Sequence, residues 1–204
     1  MIDRGVYAPT MRGLFISSNF RALKNFALIF SLCLLAPSLG LAESADRKKP
    51  INIEADALEH DELKQLSIFT GKVLATKGTI TMRGNRIEVR QDPDGYQYGI
   101  IKPLPGQRSF FRQKREAVDE WVEGEGELIE YDGKADKVIL LGRADFRRYR
   151  GTVLSDQMTG QRIVYENLTD QFTVDGVIGG KKPTNGSGRI RAVLSPKPGD
   201  EAAK

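Results

Sequence analysis

Short runs of alternating apolar and polar residues, separated by glycine turns, constrain this chain more than any other feature. The pattern is clearest between Phe69 and Val89, which reads FTGKVLATKGTITMRGNRIEV. Side chains of a strand point alternately to its two faces, so one face of this stretch carries Phe69, Val73, Ile80, Met82, Ile87 and Val89. Glycine reaches the positive φ that hairpin turns need, which predicts turns at Lys77-Gly78 and at Arg83-Gly84-Asn85. The stretch is therefore predicted to be a β-meander with one apolar and one polar face.

Most of the remaining sequence continues this pattern. Pro50–Asp56 is predicted to be the first strand and Arg189–Leu194 the last, with short strands and glycine turns between them. The polar segment Ala57–Gln65 is predicted to be a turn or a short helical piece. Helical periodicity is otherwise almost absent, and many short strands joined by glycine turns indicate an all-β architecture.

Two parts of the chain repeat the same strand pattern. The segment Phe69-Thr70-Gly71-Lys72-Val73 resembles Leu140-Leu141-Gly142-Arg143-Ala144, and Gly84-Asn85-Arg86-Ile87 resembles Gly160-Gln161-Arg162-Ile163. The offsets are 71 and 76 residues, so the period is not strict, and generic similarity between amphipathic hairpins is the alternative. The turn glycine keeps its place relative to the apolar positions, which favours a genuine repeated unit.

The first 42 residues have the features of a secretory signal peptide. Arg21 and Lys24 precede the apolar run Phe26–Leu41, and small residues at its end predict cleavage after Ala42. A membrane anchor is the alternative, but the run is short for a span and Pro37 interrupts it. The sequence therefore predicts export, with a domain at residues 43–196 and a disordered tail at 197–204.

Removing the signal peptide changes the charge and cysteine arguments. Four of the 31 basic residues and one of the 27 acidic residues lie in positions 1–42, so the remainder carries a net charge of only +1. A net charge this small gives no electrostatic reason to expect a nucleic-acid partner. The single cysteine, Cys33, is removed as well, so the mature chain has no disulfide and no thiolate metal site.

Catalytic and metal chemistry find little support in the sequence. The only histidine, His60, lies in a polar segment without a second imidazole or thiolate partner, which favours a solvated surface residue over a metal ligand or a catalytic base. Glu123, Glu125 and Glu127 share one strand face, and this pattern suggests either paired carboxylates of a glycan hydrolase or a charged, solvated face. We favour the second interpretation, and we predict no enzyme activity, no cofactor and no metal.

Four segments carry a resemblance to a known family. They are Pro50-Ile51-Asn52-Ile53-Glu54-Ala55-Asp56, Phe69-Thr70-Gly71-Lys72-Val73, Gly78-Thr79-Ile80 and the C-terminal run from Arg189 to Pro196. From Pro50 to about Pro196 the chain resembles the OstA-like family of periplasmic lipopolysaccharide-transport proteins. The resemblance implies a single twisted, half-open antiparallel β-jellyroll that holds lipid acyl chains inside. It also implies lipopolysaccharide as a ligand, head-to-tail self-association, and partners of the same fold in the inner and outer membranes.

The apolar faces and the resemblance together predict which residues contact acyl chains: Ile51, Ile53, Phe69, Val73, Ile80, Met82, Ile87, Val89, Phe110, Ile129, Tyr131, Leu140, Phe146, Ile163 and Tyr165. Edge strands present unpaired backbone groups that another chain can pair with. The predicted assembly edges are Ile51, Ile53, Arg189, Ile190, Arg191, Ala192, Val193 and Leu194. Three basic residues predicted near the edge of the lipid-binding interior either contact phosphates or are solvated: Arg83, Arg86 and Arg112. A structural β-repeat domain that binds only protein partners in the cell envelope is the alternative function.

Overall fold

The computed structural model describes residues 46, 49–115, 119–180 and 188–196. This part of the chain forms twelve strands and no helix. The strands are β1 Ile51–Glu54, β2 Ala57–Asp61, β3 Leu66–Lys77, β4 Ile80–Gln91, β5 Gln97–Lys102, β6 Ser109–Lys114, β7 Glu120–Gly126, β8 Leu128–Asp132, β9 Lys137–Arg150, β10 Val153–Glu166, β11 Gln171–Asp175 and β12 Arg191–Leu194. The predicted signal peptide, its cleavage site at Ala42 and the predicted tail lie outside the described residues.

All strand pairs are antiparallel and belong to one continuous sheet that folds on itself into two layers. The first layer has the order β2-β3-β4-β5-β8-β9-β10-β11. The second has the order β1-β3-β4-β6-β7-β9-β10-β12. The long strands β3, β4, β9 and β10 take part in both layers. This is an all-β antiparallel jellyroll, as predicted. Its central strands β4, β5, β8, β9, β7 and β6 close into a ring.

The long strands cross between the layers at glycines. In β3, Gly71 and Lys72 have φ values of 84° and 46°, and together they lie opposite the single residue Asn85 of β4. Such a β-bulge bends a strand and increases its twist. A Cβ added at Gly71 would stand 2.2 Å from Asp56 Oδ2, so only glycine fits this backbone. The predicted turn at Arg83-Gly84-Asn85 is therefore wrong, because β4 continues through these residues as a bent strand.

The sequence repeat corresponds to a structural repeat. In β9 the pair Gly142-Arg143 has φ values of 71° and 45° and lies opposite Gln161 of β10, as Gly71-Lys72 lies opposite Asn85. Strands β1–β6 have the same pairings among themselves as strands β7–β12 have. The two six-strand units are joined by β5 pairing with β8 and by β6 pairing with β7.

Other expectations need correction. The segment Ala57–Gln65 contains a strand, β2, where the sequence suggested a turn or helical piece. The last strand begins at Arg191, so Arg189 and Ile190 precede it. The hairpin turn at Lys77-Gly78 is confirmed, because β3 ends at Lys77 and β4 begins at Ile80.

Candidate functional site

The interior between the two layers is lined by the predicted apolar face. Ten of the fifteen predicted lipid-contact residues are buried there, namely Val73, Ile80, Met82, Ile87, Ile129, Tyr131, Leu140, Phe146, Ile163 and Tyr165. Four more are partly buried and pack against this core: Ile51, Ile53, Phe69 and Val89. The structure thus brings fourteen of the predicted side chains to one interior, and whether they touch lipid remains a prediction.

Phe110 is the exception. The alternation of β6 turns Ser109, Phe111 and Gln113 inward and leaves Phe110 on the outer face, where the Arg83 guanidinium lies 4.1 Å from its ring centroid. Its placement in the interior was wrong, and Phe111, which is 1% exposed, holds that position. Two adjacent phenylalanines give the alternation pattern no means of choosing between them.

The centre of the interior is filled. A Cβ added at Gly124 of β7 would stand 2.7 Å from Leu140 Cδ1 of β9. Leu140 belongs at this point to the first layer and Gly124 to the second, so the layers touch here without free space between them. Partly buried apolar side chains are found at the two ends of the jellyroll instead.

The N-terminal end of the interior opens into a cavity of about 220 Å³. Its apolar lining consists of Ile51 and Ile53 from β1, Phe69 from β3 and Val89 from β4. His60 lies at its edge, where its ring nitrogens are 3.0 Å from Ser67 Oγ and 2.8 Å from Glu62 Oε2. A serine, a histidine and a carboxylate are the side-chain types of a catalytic triad, but the His60 side chain is 43% and the Glu62 side chain 81% exposed, whereas the orienting carboxylate of a triad is buried.

The C-terminal end of the interior is aromatic. Phe146, Tyr165 and Phe172 have ring centroids 4.7–5.3 Å apart, and Phe172 on β11 is only partly buried. Burial and, secondarily, the nearby Asp170 carboxylate raise the pKa of the Tyr165 hydroxyl to about 12. That hydroxyl donates a hydrogen bond to Asn167 Oδ1 at 2.9 Å.

A cluster of charged side chains lies beside these aromatic rings, at the rim where the edges of the two layers meet. We call it the rim cluster; it consists of Arg115, Glu120, Arg148, Arg150, Asp156 and Asp170. Asp170, in the turn between β10 and β11, lies 2.5 Å from Arg115 Nη2 and 3.2 Å from Arg148 Nη2. Because Asp170 belongs to the first layer and both arginines to the second, this carboxylate joins the two layers.

Each arginine of the rim cluster also has a partner on its own layer. Arg115 pairs with Glu120, which lies 3.1 Å from Arg150 Nε, and Arg148 Nη1 lies 3.5 Å from Asp156 Oδ2. Burial alone would raise the pKa of Glu120, but the Arg150 hydrogen bond and the charge of Arg115 outweigh it and lower that pKa. Sequence reasoning missed this cluster. The only sequence signal for it is that Arg148 and Arg150 follow Phe146 at two-residue intervals in β9, so their side chains lie on the same inner face.

A second polar contact joins the layers further along the same rim. Lys77 is only 3% exposed, and its Nζ donates a hydrogen bond to Gln97 Oε1 at 3.2 Å. The same ammonium lies 5.9 Å from the centroid of the Tyr131 ring. Since Lys77 belongs to the second layer and Gln97 to the first, the rim is held at two separate points.

The acidic row on β7 has a structural explanation on the outer face. Arg147 lies 3.4 Å from Glu125, and Arg112 lies 3.6 Å from Glu123. Glu127 lies 2.6 Å from Arg143. Paired carboxylates for hydrolysis need a shared cleft, whereas these are held by arginines on the surface. The described residues contain no group of three or more metal-ligating side chains.

The two ends of each layer carry edge strands. Within the described part of the chain, β1 and β2 pair only with β3, while β11 and β12 pair only with β10. Large apolar side chains are exposed on these edges, with Leu58 on β2 60% and Leu194 on β12 66% exposed. The predicted edges at Ile51–Ile53 and at residues 191–194 are therefore placed at opposite ends of the sheet.

Among the described residues, no helix is long and apolar enough to cross a membrane. The sequence matches the family described as LptA/(LptD N-terminal domain) LPS transport protein over residues 52–171. The architecture is similar to the crystal structure of LptH, described as the LptA homologous periplasmic component of the conserved lipopolysaccharide transport device from Pseudomonas aeruginosa. That likeness has a TM-score of 0.64 at 24% identity and covers 74% of this chain and 99% of LptH.

Sequence relatives agree with this match. The lipopolysaccharide export system protein LptH of Pseudomonas aeruginosa is 28% identical over 178 residues, which cover 87% of this chain and 97% of the relative. The lipopolysaccharide export system protein LptA of Escherichia coli K12 is 29% identical over 150 residues, which cover 73% and 79%. With the family match extending over more than half of its length, the chain belongs to the LptA/(LptD N-terminal domain) family of LPS transport proteins.

Proposed function

We propose that this protein is a periplasmic, non-catalytic carrier that binds lipopolysaccharide and passes it between the inner and outer membranes. The signal peptide would direct export and be removed by cleavage after Ala42. Copies of the chain would stack head to tail, and the end copies would pair with same-fold proteins of the two membranes. Acyl chains would lie along the interior, where each buried methylene contributes about 0.8 kcal/mol.

This proposal is supported by one observation: apolar side chains at both ends of the interior are only partly buried. Ile51, Ile53, Phe69 and Val89 are only partly buried at one end, and Phe172 and Val174 are only partly buried at the other. Exposed apolar surface next to unpaired strand edges is typical of a surface that another chain covers. Stacked copies would join these ends into one apolar path.

The internal repeat supplies the register of the stack. Within the chain, β6 pairs with β7 and β5 pairs with β8. By the repeat, β12 would pair with β1 of the next copy and β11 with β2. Carrying the β6–β7 register over places Ala192 opposite the next copy's Ile53, Leu194 opposite Ile51, and Arg191 opposite Glu54. Pairing of unlike ends propagates as a filament instead of closing into a dimer.

A protein-binding repeat domain without a lipid ligand is the second candidate, and the filled centre favours it. Leu140 against Gly124 leaves no room for a chain unless the layers separate. Lipid carriage therefore requires the rim contacts at Asp170 and Lys77 to open, with the bent strands β3, β4, β9 and β10 acting as the hinge.

Photo-crosslinking separates the two candidates. A photoreactive residue at Ile53, which faces the interior, is expected to give lipopolysaccharide adducts in cells. The same residue at the neighbouring Asn52, on the opposite face of β1, is the matched control and is expected to give few. Adducts absent from Ile53 and from Phe69, or equally frequent at Asn52, would leave the protein-only candidate.

A further inference from the structure

The rim cluster brings two arginines, Arg115 and Arg148, together with three carboxylates at the edge of the interior. Arg115 and Arg148 each retain a carboxylate on their own layer, Glu120 and Asp156 respectively. Both also reach the same third carboxylate, Asp170, with one oxygen taken by each guanidinium. A single anion is thus held between two arginines at the mouth of the interior.

Asp170 is the most accessible member of this arrangement. Its side chain is 37% exposed, compared with 19% for Arg115 and 14% for Arg148. It also comes from the opposite layer, so it is the one carboxylate that leaves when the layers separate. Glu120 and Asp156 lie on β7 and β10 and remain with the arginines.

The two arginines would then present free donors beside an apolar surface. The Arg148 guanidinium lies 4.8 Å from the centroid of the Phe172 ring, and its Nε is buried without a hydrogen-bond acceptor. With Asp170 in place, three arginines of the cluster face three carboxylates; without it, the cluster has a net positive charge. Arginine pairs of this kind hold phosphate through charge-assisted, often bidentate hydrogen bonds.

We propose that Arg115 and Arg148 form a binding site for a phosphate group of the lipid cargo, and that Asp170 occupies this site when no cargo is bound. The inference rests on the proposed function and names the part of the ligand that the rim recognises. The phosphate would replace Asp170 between the guanidinium groups while the attached chains enter beside Phe146, Tyr165 and Phe172. Binding of the headgroup and opening of the rim would then be one event.

The test uses the mature full-length protein with fluorescently labelled lipopolysaccharide, either intact or dephosphorylated by a phosphatase. Asp170→Asn removes the competing charge and keeps the shape, and it is expected to tighten binding of the intact lipid about three- to tenfold. Arg148→Gln is expected to weaken it by a similar factor. Because Asp170→Asn also weakens the contact between the layers, it is expected to improve binding of the dephosphorylated lipid by a clearly smaller factor. Arg148→Gln is not expected to weaken binding of the dephosphorylated lipid.

Asp175→Asn is the matched control, because Asp175 pairs with Arg162 at 3.1 Å on the same β10–β11 hairpin but outside the rim cluster. It is expected to bind like the wild type, and thermal unfolding of every variant checks that the fold is intact. Equal gains of Asp170→Asn for both lipid forms would show a mechanical latch without phosphate recognition and would overturn the inference. So would tight binding of inorganic phosphate alone without any preference for the lipid. Failure of the wild type to bind lipopolysaccharide at all would instead overturn the proposed function.

Discussion

The Leu140 side chain occupies the space that a Cβ at Gly124 would need, with Cδ1 only 2.7 Å from that position. This contact joins the two layers at the centre of the jellyroll. It explains why glycine follows glutamate at this point of β7: Glu123 and Glu125 pair with arginines outside, and Gly124 admits the Leu140 side chain from the opposite layer inside.

Gly124→Ala is therefore expected to overpack the interior. Insertion of a methyl group into a filled core costs about 1–3 kcal/mol, measured as the free energy of unfolding in urea. Gly99→Ala is the matched control, because its Cβ would stand 3.7 Å from the Tyr131 Cβ and the Ile101 Cδ1, an ordinary contact. Equal losses for both variants would contradict a close contact of the layers at Leu140.

Tyr165 is expected to make stability fall at alkaline pH. Its native pKa of about 12 lies above the ordinary value of about 10, so its contribution is complete below pH ~10 and is lost as the pH rises through 12. Two pKa units correspond to about 2–3 kcal/mol. Tyr165→Phe is expected to be less stable than the wild type at pH 9, because it loses the hydrogen bond to Asn167, and to equal or exceed it near pH 12. Parallel unfolding curves for the two proteins across this range would contradict the assignment.

Glu120 is expected to act in the opposite pH direction. Its native pKa is lowered by the Arg150 hydrogen bond and Arg115, despite the opposing effect of burial. Its contribution to stability is thus complete above the unfolded value of about 4.3 and is lost as the pH falls through the native pKa. Glu120→Gln is expected to cost about 1–3 kcal/mol at pH 7, with the difference from wild type shrinking below pH 4. The readout is urea unfolding at pH 7 and pH 3.5. A constant difference at both pH values would show that the ionised form is not the stabilising one.

The sequence predicted the fold class and the inner face because both depend on local alternation. Val73, Ile80 and Ile87 were assigned to the interior by period alone, and each is at most 2% exposed. The glycine repeat likewise marked the bends. It could not distinguish a turn from a continuous strand at Gly84, where a Cβ would stand 2.7 Å from Ile101 Cγ2, because only the neighbouring strands show why glycine is needed there.

The rim cluster could not be predicted from local sequence patterns, for a different reason. Arg115 and Asp170 are separated by 55 residues and meet only because the layers close. In the sequence, both residues look like ordinary exposed surface residues, because most charged side chains are exposed. Ion pairs between the layers can be recognised only when the positions of both layers are known.

An engineered disulfide between neighbouring copies tests whether the interior continues from one copy to the next. The only cysteine, Cys33, lies in the predicted signal peptide, so mature protein carrying Ala192→Cys and Ile53→Cys has no competing thiol. Oxidation of this double variant is expected to give a ladder of covalent oligomers. Ala192→Cys with Asn52→Cys, one residue out of register and on the opposite face, is expected to stay largely monomeric. A ladder of equal extent from both pairs, or from neither at concentrations where the protein associates, would contradict the stacked arrangement.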